Sequence, residues 1–190
     1  KATKQAELQQ LKKQINPHFL FNMLNNANIL VKDAPDEASQ ILEKLDNLLR
    51  YQLNDSTRRE VFLTADIQFL TSFLELEKER RDHFEYTIFQ EGNMENICIP
   101  PLLFIPFVEN AVKHNLDSDN LSYVHLYFSV HNKQLTFRCE NSKPRVPVKR
   151  EGGIGLANVK RRLDLLYESR YTLQIEDKET TYNVNLHLNL

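Results

Sequence analysis

Apolar residues in the first third of the chain recur three and four positions apart, which is the spacing of amphipathic helices. Leu8, Leu11 and Ile15 predict a short coiled-coil seam. Pro35 suits the first turn of a second helix, whose apolar stripe consists of Ala38, Ile41, Leu42, Leu45, Leu48, Leu49 and Leu53. Two such helices bury little against each other, so we expect a homodimer that forms a four-helix bundle. Packing of the two helices on the rest of the chain is the alternative.

The polar segment at residues 54–59 predicts a linker, and the apolar pattern changes beyond it. Asn132 and Lys133 separate two alternating runs and predict a hairpin turn. The predicted elements are a strand at 60–63, a helix at 64–81, a strand around 84–88, a helix opened by Pro100 and Pro101 that runs to 115, strands at 124–130 and 135–139, a helix at 154–167, and a closing hairpin at 171–175 and 182–188. This order predicts an α+β fold, with an antiparallel-rich sheet that carries helices on one face. We expect the chain to divide into residues 1–58 and residues 59–190.

The composition of the 190 residues is that of a folded, water-soluble protein. With 24 basic and 26 acidic residues the net charge is −2, which argues against nucleic acid as a partner. No apolar run is long enough to span a bilayer, so we expect membrane attachment only through a segment outside this sequence. Cys98 and Cys139 lack the spacing of a zinc site, and both are expected to be small core residues.

The first candidate for chemistry is the sequence Gln-Ile-Asn-Pro-His-Phe-Leu-Phe-Asn at residues 14–22. Pro17 lies inside a helical pattern, so we expect a bend there, with His18 directly after it. A neutral imidazole has a nucleophilic nitrogen near neutral pH, which makes His18 a candidate phosphoryl acceptor. A single histidine on a helix is more often structural or merely exposed, so this segment alone does not decide its role.

The second candidate is the amphipathic helix around residues 103–115, whose apolar positions are Leu103, Phe107, Val108, Ala111 and Val112. Asn110, Lys113 and His114 are three and four residues apart, so they share the opposite face. An amide oxygen, a cation and an imidazole side by side suit a phosphate chain that carries Mg²⁺. Glu109 is placed to accept a proton or to orient the acceptor imidazole.

The third candidate is a glycine turn, because three of the four glycines (Gly152, Gly153 and Gly155) stand directly before or within the start of a predicted helix. Free backbone N–H groups at a helix start bind phosphate oxygens, and glycine permits their close approach. The Lys-Ser/Thr pair of a P-loop is missing. A helix cap would explain the glycines almost as well.

These three segments, in this order, resemble the LytS-type histidine kinases. The acceptor motif of that family is similar to residues 14–22 throughout. The nucleotide-binding N box of the family resembles residues 100–114, from Pro-Pro-Leu-Leu to Glu-Asn-Ala-Val-Lys-His. Its glycine box resembles residues 152–167 and is shared with the wider group of GHKL ATPases.

The resemblance implies a dimerising helical hairpin at residues 1–58, followed at residues 59–190 by a Bergerat-type (GHKL) sandwich that binds ATP and Mg²⁺. His18 would be the phosphoacceptor, Asn110 the Mg²⁺ ligand and Glu109 a catalytic assistant. The nucleotide-binding residues that the resemblance implies are Asn110, Lys113, His114, Glu140, Asn141, Gly153, Gly155 and Leu156. The loop before the glycines would be a mobile lid over ATP, and residues 54–59 would be a hinge.

The partners that the resemblance implies are a second copy of the chain and a response regulator of the LytTR type, which receives the phosphate on an aspartate. The expected location is the cytoplasmic side of an inner-membrane protein. One stretch departs from the family, because Glu140-Asn141-Ser142 stands where Asp-Asn-Gly is common. Either Glu140 or Asn141 would then read adenine. The departure leaves a second function open, in which a dimeric signalling module that no longer binds ATP acts by protein contact.

Overall fold

The computed structural model describes residues 3–6, 8, 17–146 and 154–190 of the chain. Within this part the α-helices are α1 (Pro17–Leu30), α2 (Pro35–Leu53), α3 (Leu63–Arg80), α4 (Ile105–His114) and α5 (Ile154–Tyr167), and a short 3-10 helix at Asp55–Thr57 lies within the predicted linker. The strands are β1 (Val61–Phe62), β2 (Phe84–Glu91), β3 (Cys98–Ile99), β4 (Ser122–His131), β5 (Gln134–Ser142), β6 (Tyr171–Asp177) and β7 (Thr181–Asn189). The helices and the mixed sheet confirm the predicted α+β class.

The described residues form two compact units. The helical unit contains residues 17–82 and 96–102, and therefore α1, α2, α3 and the antiparallel pair β1 and β3. The sheet unit contains residues 83–95, 103–146 and 154–190, together with the helical residues 3–6 and 8. The sequence predicts a functional division between residues 58 and 59, into acceptor helices and an ATP-binding part. This division stays a prediction.

In the helical unit, α1 packs against α2, and α2 packs against α3. Pro35 is the first residue of α2, as predicted. The buried face of α2 consists of Ala38, Ile41, Leu45, Leu48 and Tyr51. Leu42 and Leu53 from the predicted stripe are instead 45% and 61% exposed. The apolar stripe of α2 therefore extends beyond the part that the described residues of one chain bury.

The sheet unit is built on five strands in the order β2-β4-β5-β7-β6, of which β2 and β4 are parallel and the other neighbours antiparallel. The predicted turn between β4 and β5 is confirmed. Asn132 and Lys133 have φ values of 47° and 60°. Positive φ at both central residues is typical of a type I′ turn, which matches the twist of a two-strand hairpin.

The core of the sheet unit lies where α4 packs against β4, β5 and α5. Four aromatic rings fill it, with centroids 4.6 Å apart for Phe104 and Phe137, 5.3 Å for Phe104 and Phe128, and 5.9 Å for Phe107 and Phe137. These rings are almost fully buried, and their burial fixes α4 on the sheet.

The two cysteines have different environments. Cys139 is buried under α4, as predicted, and burial raises the pKa of its thiol to about 12. Cys98 is exposed, so the prediction of a core residue was wrong there. Alternation on the short strand β3 turns Ile99 inward, where it is fully buried, and Cys98 outward.

The helix predicted to open at Pro100 and Pro101 begins later, at Ile105. Leu102 has a φ of 57°, a left-handed conformation that a right-handed helix cannot include. Pro106 instead occupies the first turn of α4, where its missing N–H removes no helical hydrogen bond.

Candidate functional site

Helix α4 brings four of the predicted site residues together on one side. Its buried face consists of Ile105, Phe107, Val108, Ala111 and Val112. Glu109, Asn110 and His114 are half-buried, and Lys113 is exposed. The predicted spacing is therefore observed, because the polar side chains lie together, away from the aromatic core.

Glu109 is the α4 residue whose acid–base behaviour the fold changes most clearly. Burial raises the pKa of its carboxyl group from the ordinary value of 4.5 to about 7. A carboxyl group with a pKa near 7 gives up and takes back a proton at physiological pH. This is the property that a catalytic assistant needs.

Asn115 is a residue of the site region that the sequence did not single out. It directly follows α4 and is fully buried, and its Nδ2 donates a hydrogen bond to the backbone oxygen of Tyr123 at 3.0 Å. The bond connects the end of α4 to Tyr123, the second residue of β4. A polar residue directly after an amphipathic helix is the only sequence signal for it.

Asp117, two residues further on, was also not predicted. Its carboxylate accepts hydrogen bonds from the backbone N–H groups of Asp119 and Asn120 and, at 3.4 Å, of Arg145. These bonds, that from Asp119 first, hold the pKa of Asp117 below its usual range. Asp117 thus links the loop after α4 to the first residues of the predicted lid.

The end of β5 separates the two candidates for recognition of adenine. Asn141 is buried opposite Val124 of β4, on the face of the sheet that also carries Cys139. Glu140 points to the other face, where Tyr123 donates to it at 3.4 Å and the Nδ1 atom of His125 lies 3.9 Å away. Neighbouring strand residues point to opposite faces, so one pocket cannot use both.

The absence of glycine after Asn141 does not distort the backbone. Ser142 continues β5 in register with Thr181 of β7, and it is not among the described residues with a positive φ. Its hydroxyl accepts a hydrogen bond from the backbone N–H of Tyr123 at 2.9 Å. The backbone conformation at this position is therefore one that any residue adopts.

The glycine turn falls partly outside the described residues, which include Gly155 and Leu156 but not Gly153. Gly155 lies in the first turn of α5 and is exposed, and a Cβ atom placed on it would meet no atom within 4 Å. The fold itself does not need a glycine there. Leu156 is half-buried in the same turn.

His18 is the second residue of α1, directly after Pro17. The bend predicted at Pro17 involves residues 9–16, which lie outside the described residues. Asn22 follows one helical turn after His18 and is half-buried. His18 and Asn110 belong to different compact units.

Comparison with known proteins places the chain in a family. Residues 6–84, which include His18 and all of α1 to α3, match the family model described as histidine kinase. The chain is 30% identical over 203 residues to the sensor protein LytS of Staphylococcus haemolyticus, over 99% of this chain and 35% of that protein. The chain belongs to the LytS-type histidine kinases. It spans about a third of the length of that relative.

Other relatives support this membership of the LytS-type histidine kinases. The sensor histidine kinase YpdA of Escherichia coli is 33% identical over 111 residues, which cover 58% of this chain and 20% of YpdA. The sensor histidine kinase/phosphatase LytS of Staphylococcus aureus is 33% identical over 115 residues, 60% of this chain and 20% of that protein.

Solved structures share the fold. The histidine kinase domain of a blue-light activated kinase from Erythrobacter litoralis has a TM-score of 0.53 at 16% identity, over 100% of this chain and 93% of that domain. The catalytic domain of the histidine kinase ThkA has a TM-score of 0.52 at 15% identity, over 68% of this chain and 93% of that domain. The described residues therefore share the fold of these histidine kinase domains. None of the helices in the described residues is both long and apolar enough to cross a membrane.

Proposed function

We propose that this chain is the core of a two-component sensor histidine kinase, which transfers the γ-phosphate of ATP to His18 and then to an aspartate of a response regulator. The observation that supports it best is the polar side of α4. There Asn110, Lys113 and His114 accompany a carboxyl group, that of Glu109, with a pKa of about 7. The match of residues 6–84, which include His18, to the histidine kinase family supports the choice of His18 as the acceptor.

The residues of α4 and of the start of α5 fit a nucleotide with Mg²⁺. The amide oxygen of Asn110 is the kind of ligand that Mg²⁺ prefers, and Lys113 and His114 supply donors for phosphate oxygens. When bound, Mg²⁺ neutralises negative charge on the phosphate chain. Open space at Gly155 leaves the first-turn N–H groups of α5 accessible to a phosphate, and Gly153 and Leu156 would complete this side of the site.

Asn141, rather than Glu140, is the residue we expect to read adenine. Its Nδ2 donates to the backbone oxygen of Ser142 at 2.8 Å, which fixes the orientation of the amide. The Oδ1 atom on the other side of that amide is an acceptor suited to the amino group of adenine. Glu140 lies on the opposite face of the sheet and is engaged with Tyr123.

The reaction forms a bond between an imidazole nitrogen of His18 and the γ-phosphorus, and it breaks the bond between that phosphorus and the oxygen that leaves with ADP. The role of Glu109 is to accept the imidazole proton or to hold the ring in the tautomer that attacks. His18 belongs to the proposed acceptor helices (1–58) and Asn110 to the proposed ATP-binding part (59–190), so transfer requires these two parts to approach each other. We assign the required hinge to residues 54–59, between the acceptor helices (1–58) and the ATP-binding part (59–190).

A homodimer explains the apolar side chains that α1 and α2 leave uncovered. They are Phe21, Leu24 and Ile29 on α1, and Leu42 and Leu53 on α2. A second copy would cover them in a four-helix bundle.

The phosphate partner would be a response regulator of the LytTR type. The chain would lie in the cytoplasm, where ATP is available, with any membrane anchor outside this sequence.

A second activity, dephosphorylation of the response regulator, is favoured by Asn22. This half-buried amide lies one turn after His18 and is placed to orient a water molecule near the same surface. The Staphylococcus aureus relative carries both activities in its name, kinase and phosphatase.

Calorimetry with Mg-ATP tests the nucleotide site. We expect binding heat for the wild-type chain and none for the Asn110→Ala variant at the same nucleotide concentration. The contact-only module predicts no heat for the wild-type chain even at about millimolar Mg-ATP, a concentration at which a weak site would be filled. That result would replace the kinase with the contact-only module.

A further inference from the structure

Asp66, in the first turn of α3, is a carboxyl group of the described chain that solvent does not reach at all. Its Oδ1 atom accepts a hydrogen bond from the hydroxyl group of Tyr51 on α2. The same atom accepts a second bond from the backbone N–H of Leu102 at 3.3 Å. A buried carboxyl group is costly unless donors surround it, so these contacts hold the three segments together.

Tyr51 and Asp66 lie on opposite sides of the linker at residues 54–59. Their bond therefore joins the last turn of α2 to the first turn of α3 across the segment that we propose as the hinge. The ring of Tyr51 also stacks on Phe69 of α3, with centroids 4.5 Å apart and planes 20° from parallel. The side chain of Tyr51 is 6% exposed, so water does not compete for its hydroxyl group.

The Tyr51 hydroxyl group remains a donor over the whole physiological pH range. Burial and the nearby charge of Asp66 raise the pKa of Tyr51 far above its ordinary value of 10. Deprotonation of Tyr51 therefore does not break the bond at physiological pH. The bond can be opened by movement of α2 against α3, and that is the movement a swing at the linker requires.

We propose that the Tyr51–Asp66 hydrogen bond is a latch: it holds the last turn of α2 against the first turn of α3 and so restrains phosphorylation of His18. The inference rests on the proposed kinase function and adds its regulation. While the latch is closed, the flanks of the linker are fixed to each other, and the approach of the ATP site to His18 is rare. An input that shifts α2 relative to α3 breaks the bond and raises the rate of transfer.

Leu102 connects the latch, along the chain, to the start of α4. Its left-handed backbone conformation, with φ 57°, directs its N–H group to Asp66, and α4 begins three residues later. Opening the latch therefore also frees the segment that leads into the helix of Asn110.

The Tyr51→Phe variant tests the latch in the full chain, because it removes only the hydroxyl group and keeps the stack on Phe69. One hydrogen bond to a buried carboxyl group shifts a two-state population by roughly tenfold. We expect the initial rate of His18 labelling at saturating ATP to rise about tenfold, with an unchanged KM for ATP. Hydrogen exchange of the amides at residues 54–59 should accelerate, and the thermal transition should stay cooperative.

Tyr171→Phe is the matched control, since Tyr171 donates to Asp164 at 2.5 Å within the sheet unit and its loss touches no linker. This variant should label at the wild-type rate. A Tyr51→Phe variant that labels at or below the wild-type rate, or whose exchange accelerates throughout the chain, overturns the latch. A wild-type chain that takes no label contradicts the kinase proposal instead. Hydrogen exchange of the amides at residues 54–59 then still shows whether the Tyr51–Asp66 bond restrains the linker.

Discussion

Glu109 is a carboxyl group that the fold holds close to its titration point at physiological pH. Its folded-state pKa of about 7 exceeds the ordinary value of 4.5, so the folded chain binds the proton more tightly than the unfolded chain. The contribution of Glu109 to stability is fully present below pH 4.5. It is lost as the pH rises through 7.

The Glu109→Gln variant isolates this effect. Glutamine stays neutral, so the free energy of unfolding of the variant should exceed that of the wild type by a margin that grows between pH 5 and pH 8. The full loss in the wild type is on the order of 3 kcal/mol. Urea unfolding at the two pH values measures it. A difference between variant and wild type that stays constant with pH would contradict the raised pKa.

Gly155 is a position where the fold does not require glycine but a bound phosphate would. A Cβ atom at this position meets nothing, and alanine favours a helix over glycine by roughly 1 kcal/mol. Gly155→Ala should therefore unfold at an equal or higher urea concentration than the wild type, yet bind Mg-ATP at least about tenfold more weakly because the methyl group enters the phosphate position. Unchanged affinity in calorimetry would remove Gly155 from the site.

The sequence was informative about single residues where the chemistry depends on helical spacing, as for the face of Asn110, Lys113 and His114. It could not choose between Glu140 and Asn141, because that choice depends on which face of β5 the helices cover. It was wrong for Cys98, whose apolar neighbours do not reveal that a two-residue edge strand turns the thiol outward.

At the scale of elements, α4 is held at its C-terminal end by a contact that does not involve its apolar face. Asn115 fixes its C-terminal end to Tyr123, so loss of the buried amide leaves a backbone oxygen without that donor. Asn115→Ala should lower the free energy of unfolding by about 1–3 kcal/mol. Asn47→Ala, at an exposed position of α2 away from the face of Leu42 and Leu53, is the control and should change it by less than about 0.5 kcal/mol. Equal effects of the two variants would show that Asn115 holds nothing.

Most elements follow from the sequence, because period-two and helical patterns are strong in β2, β4, β5 and α5, and the turn at Asn132 and Lys133 is fixed by local conformation. The start of α4 does not follow. A double proline normally marks a helix start. Here Leu102, whose N–H group contacts Asp66, has a left-handed conformation, and the helix therefore begins only at Ile105. Such long-range contacts leave no local signal.

At the scale of the whole molecule, the dimer prediction depends on the exposed leucines of α2. Leu42→Asp puts a charge into the proposed bundle seam, so the chain should sediment as a monomer while its thermal transition remains. Phe62→Asp, at another exposed apolar position outside α1 and α2, should leave the dimer intact. A Leu42→Asp variant that still sediments as a dimer would refute the four-helix bundle.

The transfer of phosphate from ATP to His18 is tested most directly by labelling the chain with γ-labelled ATP. The wild type and a His131→Gln variant, which changes an exposed histidine at the hairpin turn, should both acquire an acid-labile label. The His18→Gln variant should acquire none. A His18→Gln variant that is labelled as strongly as the wild type would contradict the account.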